Sequence, residues 1–221
     1  MTRVYEPFDS FATEYDFQAN LLSKNNFSTA NLSHFKGAAL DIGCGSGILA
    51  FELAKHYATI VAIDISKEML ALAQQKRSAP NIQYIHMDAD HLSLDRKFDL
   101  ITSSGTFHHL QNLQSTLQAI KELLNPQGKV VLRDVVSEVE TPATIVYLLG
   151  AAKDFIPDCL KYGVRNAWRL FRFRTSPPWL RHLASDKYLS EQQFKEVYSS
   201  VFPGCSFTRE GCFMSMTWEY L

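Results

Sequence analysis

The sequence predicts a doubly wound α/β fold around a seven-stranded, mostly parallel sheet, and three observations carry that expectation. Between residues 38 and 135, short β-branched runs alternate with longer segments of helical period, the pattern of right-handed parallel βαβ crossovers. The first run ends in "GCGSG", a turn from strand to helix that is nearly bare of side chains. At the other end, "CSFTRE" and "CFMSMTWEY" flank Gly211 and read as two strands with a tight turn, an antiparallel hairpin closing the sheet.

Taken in order, "AALDI" precedes the helical "GILAFELAKHY", and "TIVAI" precedes "SKEMLALAQQKR". Then come the strands "IQYIH" and "FDLITS", the helix "NLQSTLQAIKELL" and the strand "KVVLRDV". In that helix Leu113, Leu117, Ile120 and Leu124 share one face, which must pack on the sheet. Asn125 to Gly128, "NPQG", is expected to stop it as a turn. After residue 135 the alternation breaks. Ser137 to Lys187 is aromatic, arginine-rich and interrupted by Pro142, Pro157, Pro177 and Pro178. "LSEQQFKEVYSSV" then restarts a helix, with Ser190 and Gln193 spaced as a capping box. The expected organisation is an N-terminal helical cap over 1–36, a core of 37–136 with 188–221, and a helical lid insertion over 137–187.

Composition narrows the function classes. At 221 residues, with 46% hydrophobic and 20% charged content, the chain can bury one full core. A formal charge of −1 lacks the basic balance of a general nucleic-acid binder. Glu6, Asp9, Glu14 and Asp16 argue against a secretory leader, and "TIVYLLGAA" from Thr144 is too short to span a bilayer. A soluble, cytoplasmic protein is expected. Cys44, Cys159, Cys205 and Cys212 show no zinc spacing, so no metal is expected. They read as reduced thiols, with a Cys205–Cys212 bridge across the hairpin geometrically open.

The chemistry concentrates at the glycines. In a strand-to-helix turn, Gly43, Gly45 and Gly47 let backbone N–H groups and the helix N-terminus approach a ligand. Asp64 ends the second strand 17 residues beyond Gly47, near the spacing of about 20 at which an acid meets a ribose diol in dinucleotide folds. It could instead cap the next helix, although Ser66 is better placed to do so. A nicotinamide cofactor requires a small residue three after the second glycine, where Ile48 stands. Asp41, just before the loop, would also repel a pyrophosphate. A cationic ligand suits that acid better.

"LDIGCGSG", "VAIDIS", "IHMDAD", "FDLITSSGTFHHL" and "LLNPQGKVVL" resemble, in sequence and order, the successive motifs of class I S-adenosylmethionine-dependent methyltransferases over roughly residues 38 to 135. Within that family the chain looks most like the small-molecule group that includes quinone-biosynthesis enzymes and the biotin-pathway acyl-carrier methyltransferase. "FDSFATEYD" also fits an N-terminal helix whose tyrosine covers the cofactor. The resemblance implies that S-adenosyl-L-methionine is bound and released as S-adenosyl-L-homocysteine. It places Asp41 near the amino-acid end, with Gly43, Cys44, Gly45 and Gly47 forming the loop beneath the methionyl and ribose parts. Asp64 would take the ribose hydroxyls, Ile65 and Met69 would flank the adenine, and Asp88 and Ala89 would meet its amino group and edge. Ser104 would sit beside the methionyl portion and Tyr15 would close from above. Met69 also reads as plain core, Asp88 as a turn residue and Tyr15 as helix packing.

Methyl transfer is a displacement that needs alignment and exclusion of water, with a base only for an acceptor that carries a proton. His108 and His109 both stand at a strand end; His108 is the candidate base, and the pair also reads as helix-start hydrogen bonding. Arg133 and Asp134 are adjacent on a strand, so at most one faces the pocket. Lys161, Arg165, Arg169 and Arg172 recur at i, i+4, i+8 and i+11 with Trp168 alongside. This is either a solvated face or a substrate lid in which Arg165, Trp168 and Arg169 draw in an anionic acceptor or carrier. Residues 161–174 could also touch an anionic membrane, whereas RNA fits the overall charge least. The expected function is methyl transfer to a small-molecule or carrier-bound acceptor. The alternative is a non-catalytic cofactor-binding partner of another enzyme.

Overall fold

The computed structural model describes residues 8–23, 37–139 and 143–220. The expected cap over 1–36 therefore lies partly outside the described residues, at 1–7 and 24–36. Seven strands form one sheet: β1 (Ala38–Ile42), β2 (Thr59–Asp64), β3 (Ile82–His86), β4 (Phe98–Ser104), β5 (Leu124–Val135), β6 (Ser206–Glu210) and β7 (Phe213–Glu219). Their order is β3-β2-β1-β4-β5-β7-β6. β1 to β5 pair in parallel, while β7 runs antiparallel to both β5 and β6. The predicted fold class is borne out.

The central strands read as continuous apolar runs because both of their faces are covered. All five residues of β1 are buried. Alternation of side chains divides them between two cores. Leu40, Ile42, Val61 and Ile63 pack with Leu117 and Ile120 of α4 (Leu113–Glu122) and with Phe194 and Tyr198 of α8 (Glu191–Val201). Ala39, Ile60 and Ala62 pack on the other face with Ala50 and Leu53 of α2 (Ile48–Leu53) and Leu70 of α3 (Lys67–Lys76). The Ser190–Gln193 capping box forms reciprocally at the start of α8. All four cysteines are free thiols.

Two local expectations need correcting. Asn125 to Gly128 does not end α4 as a separate turn but lies inside β5, as an irregularity in which Gln127 adopts φ 63° and the register against β4 shifts. Backbone pairing of Gln127 and Gly128 with Tyr220 holds the segment in the sheet. The four spaced cations do not share one helix either. Lys161 belongs to α5 (Thr144–Tyr162) and the three arginines to α6 (Val164–Arg174), because Gly163 at φ 82° breaks the run.

α5, α6 and α7 (Pro177–Ser185) lie in sequence between β5 and α8. α1 (Ala12–Ser23) joins them over the sheet's carboxyl edge. Arg169 grips Glu14 at 2.8 Å and 3.0 Å, and Arg174 reaches Gln18 and Asp158. On its other side α1 is pinned to the core by Asp16, which is 3% exposed and receives Lys76 at 2.6 Å and Arg77 at 2.7 Å. These cations hold its carboxyl below the usual range although burial opposes them.

Candidate active site

The strand order reverses beside β1, with β2 on one side and β4 on the other, and the carboxyl ends at such a switch point open a crevice. The glycine loop fills its floor, and its three glycines have different reasons to lack a side chain. A Cβ on Gly47 would meet the Tyr84 hydroxyl at 2.4 Å, and one on Gly43 would meet Thr106 Oγ1 at 2.1 Å. Those two are bare because the protein packs against them. Gly45, at φ 53°, faces open space with nothing within 4 Å, so it alone is bare toward the crevice.

Asp64 is locked to this loop. One carboxylate oxygen accepts the Gly45 N–H at 2.7 Å and the other the Ser66 N–H at 2.8 Å. Each oxygen keeps a second acceptor site, and the residue lines the main cavity with Gly43, Gly45, Ile65, Met69, Asp88, Ala89 and Ser104. Ser66, as its position suggested, caps α3 by accepting the Met69 N–H. Asp88 also caps, holding the Asp90 N–H at 2.9 Å from the cavity wall. Ile65 is 52% exposed and offers a flat apolar ledge, whereas Met69 is 1% exposed and mostly core. Burial raises the Asp64 carboxyl against the lowering pull of the two amides.

A second cavity continues under the loop, sharing Tyr15, Gly43, Gly45 and Ser104 with the first. Asp41, Cys44 and Arg133 line it. Asp41 Oδ2 and Arg133 Nε are both buried without a hydrogen-bond partner in the protein. Burial, with the Asp64 charge added, pushes the Asp41 carboxyl up to about 7, and burial also raises the Cys44 thiol. Arg133 lies over the Phe213 ring at 3.6 Å and reaches Ser104 Oγ at 3.4 Å. Adjacent Asp134 points elsewhere, as strand alternation requires.

Above the crevice stands an aromatic roof. Tyr15 of α1, whose phenol burial lifts to about 12, packs at 5.8 Å from Trp179 of α7. Phe8 meets Tyr15, His109 and His182 at 4.5 to 5.6 Å. The paired histidines divide between two environments. His108 gives its backbone N–H to Asp134 Oδ2 at 2.7 Å, and its Nδ1 lies 2.6 Å from Oδ1. Burial opposes its charge, yet Asp134, aided by Asp186, holds its pKa above the usual value. It borders a different groove beside Tyr188 and Ser190. His109, and not the expected His108, is on the wall of the main cavity. Its Nδ1 lies 3.2 Å from Asp186, which also accepts the Tyr188 hydroxyl at 2.9 Å. Burial would raise the Asp186 carboxyl, but His109, His108 and His182 together hold it low. Burial pushes His182 down to about 4.

Of the residues expected to meet substrate, Arg133 reaches the second cavity, while Arg169 is engaged by Glu14 and the Phe17 ring. Trp168 stacks on Phe171 at 5.8 Å with half its surface exposed, and Arg165 is exposed; neither lines these two cavities. Sequence reasoning missed Asp186, Trp179 and Phe8, and it set His108 ahead of His109 as the base. Phe8 and His109 both lay within motifs already singled out.

Residues 40–132 match the family described as "Methyltransferase domain". A malonyl-[acyl-carrier protein] O-methyltransferase of Priestia megaterium is 33% identical over 132 residues, covering 56% of this chain and 48% of its own. A ubiquinone biosynthesis O-methyltransferase of Pseudomonas fluorescens is 28% identical over 146 residues, 64% of this chain and 61% of its own. The chain thus spans about half to three-fifths of the length of these relatives. Among solved structures, one described as "DhpI-SAH complex structure" superposes with TM-score 0.66 at 16% identity, covering 95% of this chain and 91% of its own. A structure described as "Complex between the Haloferax volcanii Trm112 methyltransferase activator and the putative methyltransferase" gives 0.65 at 14%, covering 99% of both chains. These two establish likeness of fold.

Proposed function

We propose that the chain, whose residues 40–132 match the family described as "Methyltransferase domain", binds S-adenosylmethionine and transfers its methyl group to an uncharged hydroxyl on a small, largely apolar acceptor. The observation that carries the cofactor half is a pair of buried polar atoms without partners, Asp41 Oδ2 and Arg133 Nε, on two residues that line one cavity. Such atoms cost about 1–3 kcal/mol or more each when left unpaired. An amino acid zwitterion satisfies both, its ammonium at Asp41 and its carboxylate at Arg133. The adjoining cavity suits the nucleoside, with Asp64 as acceptor for the ribose hydroxyls and Ile65 and Met69 along the adenine. Asp88 and Ala89 lie at its edge, Gly43, Cys44, Gly45 and Ser104 under the methionyl part, and Tyr15 overhead. Gly47 supports this set only indirectly, through loop packing. When bound, S-adenosylmethionine supplies a sulfonium-activated methyl group and departs as S-adenosylhomocysteine.

The acceptor class follows from the remaining wall. Beyond the residues given to the nucleoside, the main cavity offers Asp9 and His109 and, among the described residues, no lysine or arginine. A carboxylate acceptor would enter without a counter-ion, whereas a neutral hydroxyl meets no such penalty. A hydroxyl does need its proton removed as the new bond forms. His109 is placed for this, because Asp186 can hold the Nδ1 proton and leave Nε2 as the acceptor. Phe8, Tyr15 and Trp179 keep water off the reacting atoms. His108, held on both sides by Asp134, keeps the turn in position, so its role is positioning. The lid role of α5 to α7 is part of this proposal.

The test is methyl release from labelled S-adenosylmethionine across phenols, amines and malonyl thioesters. Turnover concentrated on phenolic hydroxyls and lost in His109→Ala supports the proposal. A malonyl thioester methylated more efficiently than every phenol would replace it with a carrier-linked carboxylate acceptor. Cofactor binding without turnover on any pool would favour the non-catalytic partner.

A further inference from the structure

Helix α5 is packed on one side only. Ile145, Leu149, Ile156 and Leu160 are 57%, 64%, 69% and 85% exposed. Their spacing, with Ala152 between, places them within about 60° of one another on the helix, a stripe that extends about 22 Å along its axis. Val164 and Trp168 at the start of α6 add two more large apolar side chains, 70% and 53% exposed. Scattered exposed apolar residues are ordinary, but a continuous stripe of this length marks an interface.

The surrounding charges identify its occupant. Lys153, Lys161, Arg165 and Arg172 are exposed on the same two helices. The acids of α5, Asp154 and Asp158, both turn to Arg174 at 3.8 Å and 2.7 Å, and α6 contains none. The outer face is therefore apolar with a cationic border. A second copy of this chain fits it poorly, since in a two-fold antiparallel pairing of the stripe Lys153, near its centre, would face its own equivalent. No described helix is long and apolar enough to cross a membrane.

We propose that α5 and the start of α6 lie flat on an anionic lipid surface, with the Ile145–Leu160 stripe among the acyl chains and the cations at the headgroups. The sequence had pointed to 161–174 for such a contact; the exposed stripe moves its centre to α5. The proposal stands independently of the acceptor assigned above.

The test is co-sedimentation of the full chain with phosphatidylcholine vesicles, with and without 30% phosphatidylglycerol (about one lipid in three), a composition that gives a negative surface potential. Retention on the anionic vesicles, falling about tenfold or more in Leu149→Asp/Leu160→Asp and with added salt, is the expected result. Lys153→Glu/Arg172→Glu should weaken retention on anionic vesicles alone. Both double variants replace exposed side chains, so unchanged S-adenosylhomocysteine binding by calorimetry serves as the folding control. If wild type stays in the supernatant at low salt, or Leu149→Asp/Leu160→Asp is retained as well as wild type, the proposal is overturned. A wild-type dimer that the same variant dissociates would overturn it in favour of self-association.

Discussion

His109 Nδ1 lies 3.2 Å from a carboxylate oxygen of Asp186, although the two residues are far apart in sequence and belong to different layers of the molecule. The contact joins the turn after β4 to the segment after α7, and under the proposed function it makes His109 half of an acid–base pair. Removing His109 should therefore separate chemistry from binding. We expect His109→Ala to lower kcat by about 10²–10⁴-fold with S-adenosylhomocysteine affinity changed only a few-fold. His108→Ala should instead lower thermal stability, by about 1–3 kcal/mol, because it leaves the buried Asp134 carboxylate short of a partner. Single-turnover kinetics and thermal melts on both variants separate these outcomes.

Asp41 gives a pH signature to cofactor binding. Its carboxyl is held up to about 7, so it is mostly protonated at pH 6, and an incoming ammonium must displace that proton. Calorimetry in buffers of different ionisation enthalpy should show release of close to one proton at pH 6, falling through pH 7 to little by pH 8. Affinity should climb as pH rises toward 7 and then level off. The stability contribution has the opposite sign. A carboxyl raised above its unfolded value favours the folded state at low pH, and that contribution is lost as pH rises through about 7. Asp41→Asn should therefore bind cofactor more weakly and without this pH dependence, yet melt higher than wild type at pH 8 when ligand-free.

The unequal reasons for the three glycines predict unequal variants. Gly45→Ala projects a methyl into the open crevice and strains a left-handed backbone by about 1–2 kcal/mol. It should weaken cofactor affinity well beyond its effect on the melting temperature. Gly47→Ala drives a methyl to 2.4 Å from the Tyr84 hydroxyl and should act chiefly on stability. Reversal of that order, read by calorimetry and thermal melts, would mean that Gly47 is the residue meeting the ligand.

Asp16 couples the roof to the floor, since Arg77 bonds both its carboxylate and the Ser46 carbonyl of the glycine loop. Breaking a buried pair from one side costs about 3–5 kcal/mol. Asp16→Ala should accordingly destabilise the fold and speed cofactor release, which stopped-flow displacement would measure. The carboxyl is held below its usual value. Its stabilising contribution is thus present above the ordinary carboxylate range and disappears as pH falls through the lowered value.

Much of this was legible from the chain. The core strands announced themselves because burial on both faces forces continuous apolar runs, and Asp64 because one acid at the end of β2 must serve the loop before it. The choice between His108 and His109 was not legible. Neighbours in a tight turn point in very different directions, and only the folded position of Asp134 and Asp186 fixes which ring faces the crevice. Asp186 and Trp179 carry no local signal, being brought in by an insertion whose packing is wholly tertiary. Gly163 was visible, but the regular spacing of the cations across it outweighed a single helix break. The apolar stripe of α5 was seen only as a run too short to cross a bilayer; its exposure depends on what α6 and α7 leave uncovered.

The most direct measurement is calorimetric titration of the full chain with S-adenosylhomocysteine, repeated with Asp64→Ala. One molecule bound per chain, with affinity falling about a hundredfold or more when the Asp64 acceptor pair is removed, is the expected result. No binding to wild type, or tight binding of NADH in its place, would contradict it.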